Sequence, residues 1–392
     1  MIPVNEVRTL SGEWQLRDDV VEKDYVLGWL LAGISAHPAL TNSWAFKGGT
    51  CLRKCYFETY RFSEDLDFTV VNGGPDEPAD VQRIFEEVGQ WLVAACGLEL
   101  VVDSTSFVRR QNKRGNPTTL GRIVFRGPRN ARNDPKVKID LTSDEIVSQP
   151  VVDREVFHPY TDATAPLATV RAYSIVELLG EKLRALAERC RPRDLYDVIH
   201  IYRHPDLSDQ AAAVAEVLAA KCAHAGIDIP TIETIHASPY RVEVETEWAN
   251  MLAHQLPELP PFEQFWSGLD ELFAWLAGTT AAVLLPRAEL GNNLDPEWAA
   301  PRTMVSWGAG APLETIRFAG ANRLKVLLDY RAGQGRQGPR LVEPYSLRRT
   351  MDGHLLLFVV NDRGDLRSYR VDRIAGVSVT HEPFLPKYRV EF

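Results

Sequence analysis

Asp65 and Asp67 stand two residues apart in the run Arg61-Phe-Ser-Glu-Asp-Leu-Asp-Phe68. On an extended strand, side chains two apart leave the same face. Both carboxylates therefore point one way, while Leu66 and Phe68 point into the core. Adjacent carboxylates repel unless a cation lies between them. Mg²⁺ suits such a pair, because it takes carboxylate oxygens, keeps several waters and draws its other ligands from substrate phosphates. Upstream, Gly48-Gly49-Thr50 forms a turn that opens a helix. Glycines let the backbone approach closely, and N–H groups at a helix start bind phosphate. Alone, an Asp-x-Asp pair is usually a solvated turn or strand end, and a Gly-Gly-Thr turn is usually a plain helix start. Joined at this short spacing, they point to a metal-bridged nucleoside triphosphate (NTP) attacked in line by a hydroxyl.

Such a site needs a third carboxylate, either to complete the metal ligands or to deprotonate the acceptor. Asp140 is the candidate for catalysis and metal. In Lys136-Val-Lys-Ile-Asp-Leu-Thr142, Val137, Ile139 and Leu141 share one strand face, and Lys136, Lys138 and Asp140 share the other. Asp144 and Glu145, beyond the strand, are weaker substitutes. Farther on, Glu177, Glu181, Arg184 and Glu188 line the polar side of a helix, the spacing of an ordinary salt-bridged surface. Lys182 and Arg189 lie seven apart on one face, where cations can neutralise a triphosphate. Asp194 and Asp197 can orient them, although Asp194 also has the sequence context of a helix cap beside Pro192.

The elements that must position these residues follow from periodicity. Residues 18–36 read as an amphipathic helix and Leu66–Val71 as a strand ending in a turn. Ala79–Cys96 is a helix, and Leu98–Val108, Leu120–Phe125 and Lys136–Leu141 are strands. After Tyr173 the pattern is helical: Ile175–Arg189, Arg193–Tyr202, Asp209–Ala225 and Pro261–Leu276. Residues 284–303, rich in Pro, Gly and Asn, read as a linker. Beyond it lie strands Leu324–Tyr330, Leu355–Val360, Leu366–Val371 and Val377–Thr380, a small sheet or partial barrel. The expected division is 1–165 catalytic, 166–283 helical, 284–303 linker and 304–392 β-rich, an α+β protein.

Composition bounds the function. The 392 residues exceed one ordinary domain, and 45% apolar with 25% charged residues is a soluble globular balance. No apolar run approaches the roughly 18–20 residues that span a bilayer. No signal-peptide pattern opens the chain, so a cytoplasmic protein with no membrane contact is expected. The five cysteines have no paired or zinc spacing and read as reduced thiols, with Cys51 and Cys55 as core packing. The net charge of -9 argues against a generic nucleic-acid binder. Yet residues 301–392 carry +6 and the rest -15, which implies separate jobs for body and tail.

In this order the residues resemble the AbiEii-type nucleotidyltransferase toxins, a family that includes the mycobacterial MenT proteins. The likeness begins at Glu22-Lys-Asp-Tyr25 and passes through Phe46-Lys-Gly-Gly-Thr-Cys-Leu and Arg61 to Phe68. It continues through Lys138-Ile-Asp140, Glu181-Lys-Leu-Arg-Ala-Leu and Arg193-Asp-Leu-Tyr-Asp197, and fades after about residue 280. The resemblance implies a polymerase-β-like catalytic fold with a helical second domain. It implies Mg²⁺ on Asp65 and Asp67, and a nucleotide pocket of Gly48, Gly49, Thr50 and Ser63. Lys182 would hold the triphosphate, and Asp194 or Asp197 would complete the site. Relatives act in toxin–antitoxin or phage-defence systems, and some extend the 3′ end of tRNA. An RNA acceptor and an antitoxin, encoded beside the chain as a winged-helix protein, are therefore expected.

The tail resembles a WYL domain through Leu327-Leu-Asp-Tyr330, Arg340-Leu-Val-Glu-Pro344 and Arg367-Ser-Tyr-Arg-Val-Asp-Arg-Ile374. The name-giving Trp-Tyr-Leu is His354-Leu355-Leu356 here, which weakens any carry-over of ligand contacts. Arg340, Arg367, Arg370 and Arg373 are the residues expected to meet nucleic acid, while ordinary strand-edge arginines are the plainer alternative. Two other readings of the whole chain stand beside the leading one. In the first, the acceptor is a protein or small-molecule hydroxyl. In the second, the chain is a degenerate nucleotide sensor that regulates transcription.

Overall fold

The structure, a computed structural model, describes residues 1–112, 115–280, 285–291, 293–300, 313–331 and 338–392. Helices α1 (Val4–Trp14) and α2 (Asp18–Ala36) open the chain. Strand β1 (Trp44–Lys47) runs into helix α3 (Gly48–Cys51) and a π-helical turn, Leu52–Tyr56. Then come β2 (Asp65–Val70), α4 (Pro78–Cys96), β3 (Glu99–Leu100), β4 (Ser106–Gln111), β5 (Pro117–Arg126), β6 (Lys136–Thr142), β7 (Val152–Glu155) and β8 (Thr169–Ala172). Helices α5 (Ile175–Arg189), α6 (Pro192–Tyr202), α7 (Ala211–Ala225), α8 (Ile232–His236), α9 (Arg241–Leu252), α10 (Phe262–Trp266) and α11 (Gly268–Leu276) follow. The tail holds α12 (Leu313–Ala321), β9 (Leu324–Tyr330), β10 (Gly338–Arg349), β11 (Leu355–Asn361), β12 (Leu366–Arg370) and β13 (Ile374–Pro383).

The first sheet is mixed, in the order β3-β5-β6-β2-β1-β8-β7, with β4 on β5. The pairs β2–β6 and β1–β8 are parallel. One sheet face is apolar because Leu66, Phe68, Val137, Ile139, Leu141, Ile123 and Phe125 alternate toward it. Helix α4 covers that face with Val81, Ile84, Phe85, Val88 and Leu92, all buried at helical spacing. Phe85 meets Phe107 at 5.0 Å and Trp44 at 6.3 Å between ring centroids. Each such side chain contributes roughly 1.5–3 kcal/mol by leaving water. The opposite face carries the carboxylates.

The mixed α/β body and the antiparallel tail sheet match the fold class read from sequence. Two local expectations differ. The strand expected over Leu98–Val108 is broken by a 3₁₀ turn at Val102–Ser104. There Thr105 Oγ1 accepts the Val124 N–H at 3.1 Å, in place of a ladder carbonyl. The helix expected over Pro261–Leu276 is two helices that meet at Ser267 and Gly268. The tail sheet is open, in the order β12-β11-β10-β9-β13, with α12 packed against it.

Of the residues expected to form a linker, 284, 292 and 301–303 lie outside the described residues, as does the start of the tail at 304–312. The described part packs on the tail sheet. Ala288 is buried beside Tyr345 and Phe358, and Asp295 pairs with Arg349 at 2.6 Å. The tail also docks on the body. Buried Asn322 accepts from Tyr196 Oη at 2.8 Å, and its carbonyl accepts from Gln264 Nε2 at 2.9 Å. Arg317 joins Glu58 to Glu314. All five cysteines are free and buried. Among the described residues, no helix is long and apolar enough to cross a membrane.

Candidate active site

Strand register gathers the site. Lys47 on β1 pairs with Asp67 on β2, and Asp67 pairs with Asp140 on β6. Residues paired in register present their side chains to one face, so two of the three predicted carboxylates are direct neighbours. Asp65 lies one step along, opposite Lys138. The Gly-Gly-Thr turn is tied to the same strand, because Thr50 Oγ1 donates to the Asp65 carbonyl at 2.5 Å. Gly48 has φ +80, and a Cβ there would overlap the Asp67 carboxylate. A Cβ on Gly49 would sit 2.6 Å from Arg61 Nη2 and 3.0 Å from Ser63 Oγ. Both glycines are therefore required by close approach, and Ser63 lies against the turn.

Charge shapes this face. Burial raises the Asp67 carboxyl to about 6; Asp140 and Asp65 add to the rise, while Lys47 and Lys182 oppose it. Burial also raises Asp65, with Lys138, Lys23 and Arg193 pulling against it. Asp140 accepts from Thr118 Oγ1 at 2.7 Å and from Thr142 Oγ1 at 3.3 Å. Among the described residues, no three acidic, histidine or cysteine side chains form a ready-made metal cluster. The donor set nevertheless fits Mg²⁺. It consists of carboxylate oxygens on adjacent strands, with Asp140 and Asp65 close enough to Asp67 to raise its proton affinity.

The remaining predicted residues form a second layer. Lys182 Nζ stands 2.7 Å from Asp197 and 3.7 Å from Asp194. Asp194 takes both arms of Arg189, at 2.6 and 2.7 Å. Both aspartates are fully buried, so they reach the site through their cations. Sequence reasoning missed Lys47, which is buried beneath Asp67 and paired with Glu145. Burial opposes its charge, but Glu145 and Glu181 outweigh it and raise the ammonium's proton affinity. Glu145, weighed as a spare third carboxylate, is thus occupied by Lys47 and by Thr69 Oγ1 at 2.9 Å. The signal was Lys47's place directly before Gly48; the antiparallel register that aims it at Asp67 was not visible.

A family model described as nucleotidyl transferase AbiEii toxin, Type IV TA system, matches residues 29–274. The chain belongs to the AbiEii nucleotidyltransferase toxin family. A WYL domain model matches residues 312–379. Among solved structures, the chain is similar to MenT4, a nucleotidyltransferase toxin from Mycobacterium tuberculosis. Identity is 16%, with 71% of this chain and 90% of that one covered and a TM-score of 0.44. It is also similar to proteasome accessory factor B/C of Arthrobacter aurescens. Here identity is 20%, with 54% and 32% covered and a TM-score of 0.19. A search of curated proteins returned no match. At these scores neither structure bears on the geometry above, and the assignment rests on the family match.

This AbiEii-family chain has a further, open cleft of about 50 Å³, bordered by Trp14, Tyr60, Phe62, Glu314 and Phe318 between α1 and α12. None of the three carboxylates lines it, and the chemistry belongs with the carboxylates. In the tail, Arg367 pairs with Asp365 at 2.9 Å and Arg370 with Asp372 at 2.5 Å. Arg340 lies 5.1 Å from the ring centroids of both Tyr330 and Tyr369.

Proposed function

We propose that this chain transfers a nucleoside monophosphate from an NTP to a hydroxyl of RNA, at the 3′ end of tRNA, as a cytoplasmic toxin held in check by an antitoxin. The observation that carries the reading is the register pair Asp67 and Asp140, beside Asp65, at the foot of the Gly48-Gly49 turn. Asp65, Asp67 and Asp140 would hold Mg²⁺, which supplies charge neutralisation on the triphosphate. Gly48, Gly49, Thr50 and Ser63 let the phosphates approach the backbone. Lys182 steadies the leaving pyrophosphate, and Asp197 and Asp194 act as positioning residues that aim its ammonium. The acceptor oxygen bonds to the α-phosphorus as the bond to pyrophosphate breaks. Asp140 takes the hydroxyl proton or completes the carboxylate set. The tail's role in this reading is contact with nucleic acid or a ligand.

The test incubates purified protein with Mg²⁺, total RNA and each α-labelled NTP in turn. Labelled RNA is expected, and Asp65→Ala should abolish both label and growth arrest. An unlabelled RNA pool, or label that survives RNase, overturns the RNA acceptor. Co-expression of the adjacent gene should relieve toxicity.

A further inference from the structure

The sheet face that bears the carboxylates continues past them uncovered. In register, Asp67 pairs with Asp140, Asp140 with Leu120, and Leu120 with Val108. That row crosses β2, β6, β5 and β4, roughly 14 Å at the usual strand spacing. The neighbouring row is Asp65, Lys138, Arg122 and Ser106. Leu120 and Val108 are 37% and 42% exposed, side by side on a face where a soluble protein normally presents polar groups.

Of the cations on this face, Lys138 stands opposite Asp65 and favours its charge, while Arg122 and Arg110 lie farther from the carboxylates. Among the described residues, no hydrogen bond or ion pair holds the side chain of Lys138, Arg122 or Arg110. Cations elsewhere around the site are committed: Lys47 to Glu145, Lys182 and Arg61 to Asp197, Arg109 to Asp76 and Glu77. Lys138 and Arg122 are directly opposite each other. Like charges so placed repel, and a polyanion between them relieves this. Two exposed aliphatic side chains flanked by free cations match an unstacked nucleotide chain, with apolar contact for the base or ribose and charge for the phosphates.

We propose that this face is the acceptor platform. The last nucleosides of a single-stranded RNA end lie on Leu120 and Val108, with their phosphates on Lys138, Arg122 and Arg110, so that the terminal hydroxyl reaches Asp140. The inference rests on the RNA reading above and adds where the acceptor lies.

The test measures anisotropy of a fluorescein-labelled single-stranded RNA with a free 3′ hydroxyl on full-length Asp65→Ala protein. A melting curve is recorded for each variant. Adding Arg122→Ala should weaken binding about tenfold and lower the slope of log affinity against log salt by about one. Adding Leu120→Asp should weaken it about tenfold. NTP affinity should stay within twofold in both, and Arg83→Ala on the opposite face should change nothing. Unchanged RNA affinity in both platform variants overturns the proposal, as does equal loss of RNA and NTP affinity in folded protein. Transfer is read separately in protein that keeps Asp65: platform-dependent RNA binding with no transfer by that protein would support the platform and sink the RNA-transfer reading. Transfer to RNA by that protein that ignores Arg122→Ala and Leu120→Asp would do the reverse.

Discussion

Arg61 and Asp197 form a two-armed ion pair, Nε to Oδ1 at 2.7 Å and Nη2 to Oδ2 at 2.8 Å. The same carboxylate takes Lys182 Nζ at 2.7 Å and the Tyr60 hydroxyl. Burial works against the charge on Asp197, yet Arg61 and Lys182 hold its carboxyl well below the usual range. One buried group thus fixes the start of the Asp65–Asp67 motif to the helix that carries Lys182.

Asp197→Ala should therefore unsettle two parts of the site at once. It leaves the Arg61 guanidinium buried without its carboxylate, and breaking such a pair costs about 3–5 kcal/mol. Urea unfolding should show a loss of that size, and RNA labelling should fall with it. A midpoint within experimental error of the parent would show that Arg61 finds another anchor.

Gly48→Ala tests the close approach. The backbone there has φ +80, and the new methyl would overlap the Asp67 carboxylate. Displacing a carboxylate proposed to hold the metal by about 1 Å can cost on the order of 100-fold in rate. Gly115→Ala is the control, since its φ is +82 but nothing lies within 4 Å of the added carbon. Both variants should carry backbone strain. Only the first should lose labelling, and equal loss in both would reduce Gly48 to a turn residue.

The residues that carry this site were legible because their spacing is short and local. Asp65 and Asp67 share a face by strand parity, and Gly48-Gly49-Thr50 punctuates a strand-to-helix turn. Asp140 was legible as a polar position on an alternating strand, but its pairing with Asp67 depends on a parallel register set 73 residues away. Lys47 was missed for the same reason. Strand β10 was missed because Pro344 and a register shift at Pro344/Ser346 interrupt its alternation. Helix α1 was missed because its apolar positions are sparse, with only Val7 and Leu10 among its hydrophobic residues fully covered.

Glu181 should give the fold an acid-sensitive contribution. Burial opposes its charge, but Lys47 and then Lys221 push its carboxyl down to about 2. An unfolded glutamate titrates near about 4.3. The folded value is depressed, so the stabilisation is complete above about pH 5 and drains as pH falls toward the folded value. Linkage puts the whole at about 3 kcal/mol, of which about 1 kcal/mol is gone by about pH 3.5. The stability gap between wild type and Glu181→Gln should narrow accordingly in urea melts from pH 6 to 3.5. A gap that stays constant would remove Glu181 from the acid response.

Asn322 tests the docking of the tail. Its side chain is fully buried and accepts the Tyr196 hydroxyl at 2.8 Å. Asn322→Ala strands that hydroxyl among apolar neighbours, at about 1–3 kcal/mol. Limited proteolysis should then release the WYL-like unit faster than in the parent, whereas Asn361→Ala, in the tail sheet itself, should not loosen the junction. An unchanged cleavage rate for Asn322→Ala would show that the contacts it leaves, Arg317 with its glutamates and Gln264 on the residue 322 carbonyl, suffice to hold the tail.

Lys182 separates a binding role from a structural one. Its ammonium is shared by Asp197 and Asp194, so removing it looks at first like breaking a buried network. Each aspartate keeps a stronger partner, however: Asp197 keeps both arms of Arg61, and Asp194 both arms of Arg189. No carboxylate is orphaned, so Lys182→Ala should cost only about 1 kcal/mol of stability. A charge-assisted bond to triphosphate is worth about 1.5–3 kcal/mol, which is roughly 10- to 150-fold in NTP affinity. The KM for NTP should rise by that factor while the KM for RNA holds. Lys182→Arg should not restore it, because a planar fork cannot occupy the place of a compact ammonium held by two carboxylates. A large drop in melting temperature with an unchanged KM for NTP would make Lys182 a strut of the α5–α6 junction and return the triphosphate to the Gly48-Gly49 turn.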